Sequence, residues 1–188
     1  MKIIGGALKG RNFYMPAVIR PTPDIIRKAI FDIVGQSLEG MRFLDLFAGS
    51  GAVGIEAISR SAKNVIFVEK DSRCYDIIEE NLKVLNIVSL QNDTPSYFVI
   101  NADTFVAIKQ FHQRGERFDI VFVDPPYQRG LAKKTLKTLS AYDILHPNSI
   151  IIIQHDKNEI LPEAEGRILS VRERKYGNSF VSIYRNSL

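Results

Sequence analysis

The apolar and polar positions divide the chain into short strand-like runs separated by helical periods. Runs rich in β-branched and aromatic residues occupy 43–47, 64–69, 97–100, 118–123 and 149–154. Between them apolar residues recur at helical spacing: Ile55, Ala57, Ile58; Cys74, Ile78, Leu82, Leu85; Phe105, Val106, Ile108, Phe111; and Leu131, Thr135, Leu136, Leu139. Strands alternating with helices in this way predict an α/β sheet built from parallel βαβ units. A helix is expected to start at Thr22-Pro23-Asp24, with Thr22 as N-cap, to bury Ile25, Ile26, Ala29, Ile30, Ile33 and Val34, and to stop at Gly35. Short runs at 2–4 and 12–15 around a glycine-rich basic turn predict a small hairpin, too poor in apolar surface to stand alone. The tail, 167–175 and 179–185 around Tyr176-Gly177-Asn178, predicts a closing antiparallel hairpin.

The first βαβ unit carries the most chemistry. Gly49-x-Gly51-x-x-Gly54 follows a strand and opens a helix, and Glu69 ends the next strand. That spacing fits a dinucleotide fingerprint, in which helix amides cradle a pyrophosphate. Asp45 argues otherwise. A carboxylate beside the glycine turn repels a pyrophosphate and attracts a cation such as the sulfonium or ammonium of S-adenosylmethionine. The turn amides would then take that ligand's carboxylate, and Glu69 its ribose hydroxyls.

A second centre lies at Asp124-Pro125-Pro126-Tyr127, at the end of the 118–123 strand. Two prolines fix the backbone and remove two amide donors. An acid and a proline carbonyl can then accept N–H bonds from a planar amine while the tyrosine ring stacks on it. Asp103, where another strand passes into a helix, is placed either to accept from an adenine amino group or to cap that helix.

Composition narrows the class. With 188 residues, 45% hydrophobic, the chain fits one domain spanning 1–188, a basic arm at 1–20 and a catalytic core at 21–188. The single cysteine, Cys74, permits no internal disulfide, and no Cys/His pair has zinc spacing, so a metal-free cytoplasmic protein is expected. The charge is unevenly placed: residues 1–31 hold six basic residues and one acid, the remainder 19 basic and 20 acidic. A basic amino-terminal arm is a polyanion footprint, with a merely solvated surface as the competing reading. Lys9, Arg11 and Arg20 are the expected RNA contacts. His112, His146 and His155 share no metal or triad spacing.

Asp45-Leu46-Phe47-Ala48-Gly49-Ser50-Gly51 with Glu69, Asp103 and Asp124-Pro125-Pro126-Tyr127 resembles the class I S-adenosylmethionine-dependent amino-methyltransferases. The opening Ile3-Ile4-Gly5-Gly6 to Gly10-Arg11, Arg20-Pro21-Thr22, Gly54-Ile55-Glu56-Ala57 with Ser59-Arg60, and Tyr176-Gly177 resemble, more narrowly, the bacterial 16S rRNA guanine-N2 methyltransferases of the RsmD family. The resemblance implies a Rossmann-like seven-stranded sheet, mostly parallel with an antiparallel last strand, and helices on both faces. It implies S-adenosylmethionine as cofactor and, as substrate, a guanine of 16S rRNA in the small subunit or an assembling particle. The chain departs from the family at Pro23-Asp24-Ile25 and at Ser61, where a glycine is common.

The cofactor is expected to meet Thr22, Asp45, Phe47, Gly49, Ser50, Gly51, Glu69, Lys70, Asp103 and Thr104, and the reaction to fall to Asp124, Pro125, Pro126 and Tyr127 in a monomeric protein. Adenine-N6 or cytosine-N4 methylation of DNA or another RNA shares the proline-proline tetrad, but 188 residues leave little room for a target-recognition region. A nicotinamide oxidoreductase is disfavoured by Asp45. A non-catalytic RNA-binding assembly factor would have no need of the full set of Glu69, Asp103 and Asp124.

Overall fold

The structure is a computed structural model and describes residues 1–15, 22–87, 96–127 and 130–187. Helix α1 (Asp24–Val34) precedes β1 (Arg42–Leu46), α2 (Ala52–Ser59), β2 (Asn64–Glu69), α3 (Ser72–Val84), β3 (Ser96–Asn101), α4 (Thr104–Gln113), β4 (Phe118–Val123), α5 (Leu131–Ala141) and β5 (Leu145–Asp156). Three strands close the chain: β6 (Ala164–Glu165), β7 (Ile168–Tyr176) and β8 (Ser179–Asn186). They form one sheet in the order β3-β2-β1-β4-β5-β8-β7-β6, parallel from β3 to β5 and antiparallel thereafter. The sheet therefore has eight strands rather than seven. The extra one, β6, has two residues and too little side-chain pattern to be seen in sequence.

Strand alternation sorts the core into two layers. Phe43, Phe67, Phe122 and Ile152 pack with α1, α2 and α3 on one face, while Leu44, Val68, Val123 and Ile153 pack with α4 and α5 on the other. Because both faces are covered, the central strands read as nearly unbroken apolar runs. Each fully buried Phe or Leu in these layers contributes roughly 1.5–3 kcal/mol.

Two helix-level expectations change. Thr22 does not cap α1: the N-cap position is Pro23, with no side-chain cap, because the Thr22 hydroxyl donates instead to the Asp124 carboxylate at 3.3 Å. And α1 buries Arg27 completely, while Ile25 on the same helix is 66% exposed. The Arg27 guanidinium reaches Glu56 Oε2, Asp24 Oδ1 and the Lys2 carbonyl, and Arg60 binds the other Glu56 oxygen. One cation credited to the basic arm is thus consumed inside the fold.

The amino-terminal hairpin is reduced to a single bridge, Lys2 to Asn12, with flanking backbone bonds between Ile3 and Arg11 and between Phe13 and Met1. Its other backbone groups serve the body. Ile4 donates to Glu56, Ala7 and Leu8 donate to Ser59, and Ser59 donates back to the Gly5 carbonyl. Gly6 belongs to this contact rather than to a free turn: at φ +73°, a Cβ there would lie 1.9 Å from the Ser59 carbonyl oxygen. The departure at Ser61 falls at φ +66°, the left-handed region where glycine is unstrained. Among the described residues no helix is long and apolar enough to cross a membrane.

Candidate active site

The carboxyl ends of β1, β2, β3 and β4 converge on a cavity of about 890 Å³, the size of an ordinary small-molecule site. On its walls lie Thr22, Asp45, Phe47, Gly49, Ser50, Glu69, Lys70, Asp103, Thr104, Asp124, Pro125, Pro126 and Tyr127. Gly51 is set behind them, capping α2 in left-handed conformation at φ +79°. Arg20 and the 91–95 loop lie outside the described residues, and Lys9 and Arg11 are exposed on the docked hairpin.

The β1 side is locked by its own neighbours. Gly54 donates to Asp45 Oδ2 at 2.9 Å, Gly49 donates to Glu69 Oε2 at 2.8 Å, and Gly51 donates to the Ala48 carbonyl. These three amides are therefore committed within the protein. Gly54 also lets α2 approach β2, since a Cβ there would sit 2.2 Å from the Phe67 ring. Phe47 holds φ +62°, a conformation that costs a bulky residue roughly 1–3 kcal/mol and that concentrates at functional sites.

Asp45 is 1% exposed, and its Oδ1 is a buried oxygen with no hydrogen-bond partner. Burial pushes its carboxyl up to about 8; the Gly54 amide opposes this, and the nearby Asp124 and Glu69 charges add to it. Glu69 takes the Asp71 amide on its second oxygen at 2.8 Å, so each carboxylate oxygen is fixed by one amide and retains acceptor capacity. Asp103 caps α4 through Phe105 N at 3.0 Å and pairs with Lys70 at 3.1 Å, so capping prevails for one oxygen. Burial pushes its carboxyl up, but the Lys70 ammonium and the Phe105 amide outweigh that and hold it below the usual carboxylate range. Phe105 and Leu131 add an apolar wall between these acids and β4.

The β4 side is held from a distance. Asp124 receives the Thr22 hydroxyl from the start of α1, and the Tyr127 hydroxyl donates to Ser179 Oγ at 2.9 Å. Gln154, 2% exposed at the end of β5, donates to the same phenol oxygen at 3.0 Å. Sequence reading missed Gln154 and Ser179. Gln154 had a signal, as a lone amide closing an isoleucine run at a strand's carboxyl end; Ser179 had none.

The family model described as conserved hypothetical protein 95 matches residues 1–185. A relative from Bacillus subtilis, a putative rRNA methyltransferase, is 35% identical over 187 residues, covering 98% of both chains. The ribosomal RNA small subunit methyltransferase D of Haemophilus influenzae is 33% identical, covering 99% of this chain and 94% of its own. The chain belongs to the ribosomal RNA small subunit methyltransferase D family. Among solved members, a putative methyltransferase from Escherichia coli superposes with a TM-score of 0.85 at 30% identity, covering 100% of this chain and 98% of that one. The fold extends further: an RNA methyltransferase from Salinibacter ruber, in complex with S-adenosyl-L-homocysteine, aligns at TM-score 0.65 and 15% identity, covering 89% and 94%. The family's fold is the one expected from sequence, with the eighth strand added.

Proposed function

We propose that this chain uses S-adenosylmethionine to methylate the exocyclic N2 amine of a guanine in 16S rRNA of the small ribosomal subunit or its assembly intermediates, acting in the cytoplasm. The observation that carries this reading is the meeting, in one cavity, of the unpartnered Asp45 oxygen and Glu69 with the Asp124-Pro125-Pro126-Tyr127 loop. The names of the full-length relatives support ribosomal RNA as the substrate class.

The residues present fit the cofactor. A buried carboxylate oxygen lacking a donor suits a nearby positive charge, and Glu69 offers two pre-oriented oxygens for a ribose. Phe47, Ser50, Lys70, Asp103 and Thr104 complete the lining on that side, and Asp103, besides capping α4, would accept from the adenine amino group. When bound, S-adenosylmethionine supplies an electrophilic methyl on a sulfonium.

A guanine amino nitrogen is a weak nucleophile because its lone pair is delocalised into the ring. Asp124 and the Pro125 carbonyl accept its hydrogens, draw it toward tetrahedral geometry and stabilise the positive charge that grows on it. Asp124 then takes the departing proton. Thr22 fixes the orientation of Asp124, while Gln154 and Ser179 hold the Tyr127 phenol so that its ring face is presented to a base withdrawn from its stack. Holding the two partners in line supplies much of the remaining acceleration.

The test is transfer of labelled methyl to small subunits from cells lacking the modification, with the product nucleoside identified. N2-methylguanosine is expected. A labelled adenosine or cytidine, or no label at all, would overturn the reading.

A further inference from the structure

Among the described residues, strand β7 has almost no neighbour beyond it. From Leu169 to Lys175 every residue is exposed, and β6 pairs only with Ile168 and Leu169. What remains is the β7–β8 ribbon at the sheet edge, with β8 mostly buried and paired to β5, and with β7 presenting Arg172, Arg174 and Lys175 to solvent. Among the described residues none of these three forms an ion pair. The ribbon's single acid, Glu173, accepts from Ser182 at 2.7 Å, on the opposite face from Arg172 and Arg174. Those two arginines stand opposite Ile183 and Val181, on the sheet face that also carries α1.

The position of the ribbon gives these charges a use. Its tip pairs Tyr176 with Ser179, and Ser179 receives the Tyr127 hydroxyl from the catalytic loop. Lys175 and Arg174 therefore lie only one and two residues, roughly 3–7 Å along the strand, from the pair that touches the site. The amino-terminal hairpin is placed differently. Its turn docks on Ser59 at the far end of α2, about 12 Å of helix from the glycine turn.

We infer that the exposed β7 edge of this ribbon is the phosphate-gripping surface that seats the RNA backbone beside the cavity. The inference rests on the proposed rRNA reaction and adds where the substrate is held. Charged residues on an edge strand also prevent edge-to-edge association. That role requires nothing of their place, whereas Arg172 and Arg174, on the face of Tyr176 and Ser179, form a stripe of cations leading to the site, with Lys175 on the other face.

The test is Arg172→Gln and Arg174→Gln combined in the full chain, with filter binding of 16S rRNA from about 50 to 200 mM salt. The expected result is a Kd raised about tenfold or more and a log–log salt slope smaller by about 2, with cofactor affinity and Tm unchanged. An unchanged Kd and slope would overturn the proposal, as would self-association of the variant with RNA affinity intact, which would assign the charges to edge protection. Binding is read apart from methyl transfer, so a wild-type protein that binds RNA through the ribbon but yields no N2-methylguanosine would refute the reaction and leave the ribbon standing.

Discussion

The two loops facing each other across the cavity are held by different means. The β1 loop is stabilised by partners closer in sequence: Gly54 lies nine residues from Asp45, Gly49 twenty from Glu69, and Asn81, which donates to the Ser50 carbonyl, 31 from Ser50. The β4 loop depends on Thr22, 102 residues before Asp124, and on Ser179, 52 residues after Tyr127. The first is a prebuilt receptacle whose amides are already satisfied. The second is adjusted by three separate elements, which suits a wall that must accept a large substrate. Changes in the first loop should therefore act on the cofactor, and changes in the second on the nucleobase.

The largest effect is expected from Asp124→Ala. Removing both the acceptor for the amine and the base should lower methyl transfer at least about 10³-fold, measured with labelled cofactor under single-turnover conditions. Next comes Asp45→Asn, which should weaken cofactor binding about 10- to 100-fold, the cost of one charge-assisted interaction. Asp45 also sets a pH dependence. Its folded-state pKa of about 8 lies above the ordinary aspartate value of 3.8, so the unliganded fold binds a proton that the unfolded chain has released. Its contribution to stability is full below about pH 4 and is lost as pH rises through 8. Facing a cation requires the ionised form, so cofactor affinity should rise with pH up to about 8 with proton release on binding, and Asp45→Asn should flatten both in calorimetry.

A smaller change is expected from Gln154→Leu. Freeing one side of the Tyr127 phenol should raise KM for the RNA several-fold, about 1 kcal/mol for one hydrogen bond, and leave cofactor Kd unchanged. The least effect should follow from replacing Lys9 and Arg11 together by Gln. RNA affinity should fall slightly and the salt slope by no more than about 1–2, because the turn beside them docks on Ser59 at the far end of α2 and Arg11 reaches the Val84 carbonyl on α3.

The same contrast explains what was legible in the sequence. Strand and helix order followed from periodicity because both sheet faces are buried. The residues later found on the cavity wall could be named because strand ends carry Asp45, Glu69, Asp103 and Asp124, each adjacent in sequence to the element that places it. What was missed depends on long-range contacts. Thr22 has the local signature of a helix cap, yet a carboxylate 102 residues away takes its hydroxyl. Arg27 counts as a surface cation until Glu56 is brought over it, and β7 reads as an ordinary closing strand until its outer edge is found bare past Leu169.

The most direct test is the cofactor Kd of Asp124→Ala set beside that of Asp45→Asn. The division of labour requires that Asp124→Ala keep wild-type affinity, or gain slightly as a charge that raises the Asp45 pKa is removed, while Asp45→Asn loses about 10- to 100-fold. Equal losses in the two variants, or a loss confined to Asp124→Ala, would contradict it.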